Sequence, residues 1–209
     1  MLALSAAASI ILGCLGALFQ KRVKRLLAYS SINNAGYVLA GLSTGSLPGL
    51  QAALTYLLLY SVTLLILFGV LAGAPGSRAV THVNELGRLR AHGGIAVLTA
   101  SMLFSLAGIP PLTGFWTKFF VLSELISLQM YALGAVAAFA SIVSSFYYVS
   151  LVRILYFEEP ASAASDYVPS FPVFSVPLLA VPVVLYPISP DLVHSFFFDL
   201  SCSFLLGLY

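Results

Sequence analysis

A lysine amine can take up and release a hydrogen ion, and Lys118 holds one where water is scarce. It stands in an apolar run from residue 95 to about residue 128. Ten residues separate it from the end of that run, or about 15 Å of helix at 1.5 Å per residue. A bilayer's hydrocarbon core is about 30 Å thick, so the amine lies near mid-depth. A lysine stem cannot reach the surface from there. Its helical neighbours Gly114, Phe115, Val121 and Leu122 offer no counter-charge. Such a lysine costs about 2.5–3.5 kcal/mol on insertion scales and defaults to a functional reading.

The same run, read as SLAGIPPLTGFWTKFFVLSE over residues 105–124, is too long for one straight span, since about 20 residues cross the core. Gly108, Pro110, Pro111 and Gly114 break its middle. The prolines lack a donor and clash one turn back, and the glycines loosen the backbone. We therefore expect half-helices at 95–107 and 114–128 with an irregular link across 108–114. Irregular backbone at membrane depth is tolerated only against protein or a wet cavity. Together with the lysine it points to an ion or proton pathway. The plainer alternative is a structural lysine paired to a carboxylate or to carbonyls freed at the break. Burial disfavours the charged form of an amine, and the N-terminal end of the second half-helix acts in the same sense. Both favour a group that exchanges its proton.

Other residues carry weaker signals. Ser30, Ser31 and Asn34 belong to a polar band in an expected helix at 26–42. Hydrogen bonding between helices is the ordinary use of such residues, and lining a hydrated path is the functional one. Glu124 lies six residues after Lys118, on another helical face. It fits an exit-side proton group or a partner for an adjacent subunit equally. Tyr147 and Tyr148 fit an interfacial aromatic belt better than a relay. His82, His92 and His194 fall in polar connections or the tail. GAPGS at 73–77 lacks the lysine of a phosphate loop and is a turn. Cys14 and Cys202 are isolated, with no metal spacing and no disulfide framework.

The elements that must position these groups follow from composition. Of 209 residues 60% are hydrophobic and 8% charged, against about 25% charged in a soluble domain. The chain therefore belongs to the all-α polytopic membrane class. We expect spans at 2–19, 26–42, 50–72, the broken 95–128, 131–157 and a proline-bent 171–189. Residues 190–209 read as an interfacial tail. THVNELGRL, within the polar connection 73–94, suggests a short surface helix. MLALSAAASIILG has no basic n-region and reads as neither a secretory signal nor a transit peptide. With six spans, Lys21, Arg22, Lys24, Arg25, Arg78, Arg88, Arg90 and Arg153 share one side, and the ninth basic residue is Lys118. That side is expected in the matrix or cytoplasm. The basic residues form no soluble face for nucleic acid.

SLAGIPPLTGFWTKF resembles the signature of the second subunit of complex I, the proton-pumping NADH dehydrogenase (the N subunit of bacteria). RLLAYSSINNAGYVLAG, Glu124, the Tyr147–Tyr148 pair and LYPISP fit the same family. Lysine followed by Phe119 and Phe120 favours this subunit over its antiporter-like relatives. The resemblance implies an antiporter-like fold of about fourteen helices. This chain matches the last six, the second inverted repeat plus the final helix. It implies that Lys118 carries a proton in one half-channel, with FMN, iron–sulfur clusters and ubiquinone in other subunits and no cofactor here. It implies membrane-arm subunits and lipid as partners, with a separate chain bearing the first repeat. It places the chain in the mitochondrial inner membrane or a bacterial plasma membrane. The family has histidine where Asn34 stands, and asparagine cannot titrate. Three rivals remain open: a subunit of a multi-subunit sodium/proton antiporter, a structural remnant that only bridges neighbours, and a chloroplast-type relative using ferredoxin.

Overall fold

The computed structural model describes residues 1–72, 80–110 and 112–158. The expected span 171–189, the tail 190–209, Pro111, Arg78, Cys202 and His194 lie outside the described residues. Within them the chain forms α1 (Leu2–Leu18), α2 (Val23–Ser43), α3 (Leu47–Ala72), a 3₁₀ segment (Val83–Ala91), α4 (Gly93–Ala107), α5 (Thr113–Ser127) and α6 (Tyr131–Phe157). The surface helix suggested by THVNELGRL is thus 3₁₀ rather than α. Its nine residues make three turns at 3.0 residues per turn.

Among the described residues, α3 and α6 are each long and apolar enough to cross a membrane alone. Helices α1 and α4 are apolar but shorter. Helices α4 and α5 have 15 residues each, about 22 Å apiece at 1.5 Å per residue, so neither spans a 30 Å core by itself.

Helix α1 packs closely on α2 because each presents a glycine to the backbone of the other. A Cβ on Gly13 would come within 2.4 Å of the Asn33 backbone nitrogen, and one on Gly36 within 2.6 Å of Ile10. Small residues that let backbones approach are the usual means of helix association in lipid. Two apolar clusters fill the bundle. One gathers Leu26, Leu27, Leu67, Leu71, Leu86, Leu103, Leu151 and Leu155 with their neighbours. The other gathers Ile10, Cys14, Tyr37, Val121, Leu125 and Ala137.

The basic connections meet on one face. Val23 N–H donates to the Thr81 carbonyl at 3.1 Å, and Val83 N–H to the Lys21 carbonyl at 3.1 Å. These bonds join the α1–α2 link to the segment before α4. Arg90 Nη1 donates to the Tyr156 carbonyl at 2.9 Å, adding the end of α6. Lys21, Arg22, Lys24 and Arg25 are exposed there, whereas Arg88 is buried.

Glu85 caps the 3₁₀ segment. Its Oε2 accepts the N–H groups of Thr81 at 2.7 Å and His82 at 3.1 Å, and the Thr81 hydroxyl at 3.1 Å. Burial alone would raise its carboxyl. Those donors and the nearby Arg88 charge outweigh burial and hold it below its ordinary value. The stability it adds is complete above the ordinary glutamate value of about 4.3, and is lost as pH falls through the lower folded value. Glu85→Ala is expected to cost about 1 kcal/mol at neutral pH. The difference in melting temperature from the parent should shrink as the pH is lowered below that range. A difference that stays constant with pH would refute the role of the carboxylate.

Candidate functional site

The break between α4 and α5 can be accounted for carbonyl by carbonyl. A helix end leaves its last four carbonyls without helical donors. In α4 these belong to Phe104, Ser105, Leu106 and Ala107. Gly108 adopts a left-handed conformation, φ 82°, which glycine takes at no steric cost. It turns the chain so that Gly108 N–H reaches the Phe104 and Ser105 carbonyls at 3.1 and 3.0 Å. Ile109 N–H adds a second donor to Phe104 at 3.2 Å. Pro110 has no N–H to offer. The Leu106 and Ala107 carbonyls are left, and Lys118 Nζ donates to them at 3.0 and 3.5 Å.

Ser105 clamps the start of α5 to the end of α4. Its hydroxyl pairs with that of Thr113 at 3.0 Å and accepts Gly114 N–H at 3.2 Å. The approach is so close that a Cβ on Gly114 would lie 1.6 Å from the Ser105 carbonyl oxygen. The Lys118 stem crosses Gly108, whose added Cβ would meet its Cδ at 3.3 Å. Lys118 is 4% exposed. Among the described residues no carboxylate lies within ion-pairing distance of it; the ion pair there is Arg153–Glu158, at the surface. Lys118 Nζ sits 5.8 Å from the centroid of the Tyr37 ring, within cation–π range. Tyr37 stacks on Tyr56 at 5.7 Å and 6°.

Beside the amine is a cavity of about 20 Å³, room for one water. It is lined by Lys118, Asn34, Tyr56, Tyr60, Thr63 and Thr117 together with the residues of the break. Asn34 acts as a fixed anchor. Its Oδ1 accepts the Tyr56 hydroxyl at 2.7 Å, and its Nδ2 donates to the Ser30 carbonyl at 2.9 Å and hydroxyl at 3.1 Å. Ser30 in turn shares a hydrogen bond with the Tyr148 hydroxyl. Tyr60 donates to the Ser31 hydroxyl at 2.8 Å, and Ser31 to the Leu27 carbonyl at 2.9 Å. A layer of amide and hydroxyl groups thus crosses the bundle from α5 through α3 and α2 to α6.

The structure brings Lys118, Asn34, Ser30 and Ser31 together through Tyr56 and Tyr60. Glu124 is placed elsewhere. Its Oε1 accepts the Ser46 hydroxyl at 2.8 Å in the α2–α3 link. Six residues beyond Lys118 is about 9 Å along the axis. Tyr147 and Tyr148 are 4% and 1% exposed, so they form no interfacial belt. Tyr148 lies nine residues before the end of α6, about 14 Å inside it. Sequence reasoning did not single out Tyr37, Tyr56, Tyr60 or Ser145. The four-residue spacing of Tyr56 and Tyr60 is a face signal, but nothing in it says which helix that face meets. Among the described residues there is no group of three or more His, Cys, Asp or Glu that could hold a metal ion. Cys14 is buried and free, its thiol near the Ala140 carbonyl.

The arrangement is a single amine held on two freed carbonyls beside room for water. Its chemistry is the exchange of a proton, or the neutralising of a broken helix end. Comparison with known proteins bears on that choice. The profile of the family described as "NADH:quinone oxidoreductase/Mrp antiporter, TM" matches residues 1–144. NADH-quinone oxidoreductase subunit N of Sphingopyxis alaskensis is 43% identical over 157 residues, covering 74% of this chain and 33% of that protein. The same subunit of Methylobacterium nodulans is 40% identical over 189 residues, covering 88% and 39%. A chain of respiratory complex I from Thermus thermophilus with bound aureothin superposes with a TM-score of 0.77 at 30% identity, covering 93% of this chain and 44% of that one. A chain of the Mrp complex from Dietzia sp. gives 0.78 at 21% identity, covering 96% and 46%. At that identity the likeness to the Mrp chain is one of fold. The chain spans about a third of the length of the curated relatives it matches.

Proposed function

The chain belongs to the NADH:quinone oxidoreductase/Mrp antiporter transmembrane family, and from that membership we propose that it is an antiporter-like, proton-translocating membrane subunit of an NADH:quinone oxidoreductase. Lys118 is its proton-carrying group. The observation that carries this reading is a buried amine with backbone carbonyls as acceptors, water-sized space beside it and no carboxylate among the described residues within ion-pairing distance. The bonds to the freed carbonyls also suit a lysine kept to neutralise the broken helix end; the water-sized space beside the amine and the expense of an ammonium in oil without a counter-charge favour exchange. Ser30, Ser31 and Asn34 organise the polar layer beside the amine, and Glu124 serves a separate position at the α2–α3 link.

In this reading the subunit crosses the membrane six times, with α4 and α5 sharing one crossing. It corresponds to the second inverted repeat of an antiporter-like subunit plus the final helix. The face gathering Lys21, Arg22, Lys24, Arg25 and Arg90 is turned to the matrix or cytoplasm, following the excess of positive charge. The membrane is the mitochondrial inner membrane or a bacterial plasma membrane. FMN, iron–sulfur clusters and ubiquinone belong to other subunits. The partners are membrane-arm subunits, lipid and a separate chain carrying the first repeat.

Isolation of the assembly from native membranes tests the proposal. The chain is expected to co-purify with iron–sulfur subunits and with a second polypeptide bearing the first repeat, and the assembly to acidify or alkalinise sealed vesicles when NADH is oxidised. Recovery with sodium/proton antiporter subunits and no iron–sulfur protein would transfer it to the other branch of the family.

A further inference from the structure

The end of α4 has one more donor. Ser145 sits in mid-α6, and its hydroxyl has two acceptors in reach. One is the Ser141 carbonyl a turn back at 2.8 Å, and the other is the Ala107 carbonyl at 2.9 Å. A serine hydroxyl has a single hydrogen, so it serves one of them at a time. The bond to Ser141 is the ordinary back-bond of a helical serine. The bond to Ala107 crosses to the break and lands on the carbonyl that Lys118 Nζ faces at 3.5 Å. The amine's shorter bond is to Leu106 at 3.0 Å.

We propose that Ser145 is a positioning residue for Lys118: its hydroxyl supplies the Ala107 carbonyl with a donor whenever the amine does not, and turns back to Ser141 when the ammonium moves across. This rests on the reading of Lys118 as the group that gains and loses the proton. A charged amine has three donors, enough for both freed carbonyls and the cavity. When its proton passes to water in the cavity, the neutral amine keeps two hydrogens, but its bonds lose the strength that the charge gave them, and the longer one, to Ala107 at 3.5 Å, is the first to lapse. A buried carbonyl without a donor is costly. Ser145 removes that cost by rotating about its own Cβ–Oγ bond; it gives up no proton and carries no charge. Tyr148, three residues on, lies on the same face of α6 and fixes that face through its bond to Ser30. The rotor therefore stays aimed at the break.

The test uses the intact assembly in sealed membrane vesicles driven by NADH. Lys118→Met defines the part of the proton transfer that depends on the lysine. Ser145→Ala is expected to slow that part about tenfold, the factor for one buried carbonyl left without a donor, with the assembly's subunit inventory unchanged. Ser145→Thr, which keeps the hydroxyl, is expected to restore it. Ser150→Ala, exposed on the same helix, gives the baseline. Normal transfer in Ser145→Ala beside loss in Lys118→Met would overturn the role of Ser145 and leave that of Lys118 standing. Equal loss in Ser145→Ala and Ser145→Thr would also overturn it, since packing rather than the hydroxyl would then matter. Normal transfer in Lys118→Met would bring down the underlying reading, and this one with it.

Discussion

A Lys118→Met variant is expected to assemble about as well as the parent and to lose all proton transfer that this subunit supports. Two stability effects oppose each other. Removing a charge from mid-membrane recovers about 2.5–3.5 kcal/mol of insertion cost. Leaving the Leu106 carbonyl without its 3.0 Å donor costs about 1–3 kcal/mol. Methionine fills the space of the stem over Gly108 and adapts to irregular gaps. The net change in stability is therefore small, while the only ionisable amine at the break is gone. Lys118→Arg sharpens the test, because a guanidinium keeps the charge but does not release its proton in a protein. It too is expected to abolish transfer. The measurements are the abundance of the assembly in native gels and the number of protons moved per electron in sealed vesicles. If Lys118→Arg moves protons normally, the positive charge alone suffices and the exchange reading is wrong. If Lys118→Met fails to assemble while Lys118→Arg assembles and pumps, the lysine is a structural plug for the helix end.

Gly114→Ala is expected to do the reverse, removing function through the scaffold with no titratable group touched. The added Cβ would lie 1.6 Å from the Ser105 carbonyl oxygen, which is backbone and cannot swing aside. The two half-helices must separate, breaking the bonds of the Ser105 hydroxyl to Thr113 and to Gly114 N–H. Overpacking typically costs about 1–3 kcal/mol and occasionally more, and an approach this close to backbone belongs at the upper end. A marked fall in the melting temperature of the detergent-purified assembly is expected, together with loss of transfer. Gly108→Ala is expected to be milder, about 1–2 kcal/mol, the ordinary penalty for a side chain in the left-handed region. Gly94→Ala supplies the contrast. Nothing lies within 4 Å of a Cβ there, and alanine in a helix is favoured over glycine by roughly 1 kcal/mol. Comparable losses in Gly94→Ala and Gly114→Ala would show that the close approach at Ser105 is not what holds the break.

The break and the lysine were legible in the chain because both are local. Proline cannot donate and glycine can turn left-handed whatever surrounds them, so Gly108, Pro110 and Gly114 mark an interruption in any fold. A lone lysine ten residues inside an apolar run is buried by arithmetic. The membrane class follows from composition in the same way. Tyr147 and Tyr148 show where this stops. Their place toward the end of α6 suggested an interfacial belt, but both are buried in the leucine-rich cluster, and Tyr148 bonds Ser30. Glu124 and Lys118 share a half-helix and still bond different partners, because α5 meets the α2–α3 link at one and the broken end of α4 at the other.

What the sequence by itself determined is that a helix is interrupted in the membrane and that an amine waits beside the interruption. Only the tertiary structure decided which carbonyls the amine reaches, that Tyr56, Tyr60 and Asn34 wall its cavity, and that Ser145 shares one of its acceptors. The reason is the solvent. In water, a helix writes its buried face into the sequence as an apolar stripe. In lipid, both the neighbours and the solvent are apolar, so a helix can turn either face inward and leave no periodic mark. Bonds along one helix are set by the residues that make it, whereas contacts between helices exist only once the bundle has closed.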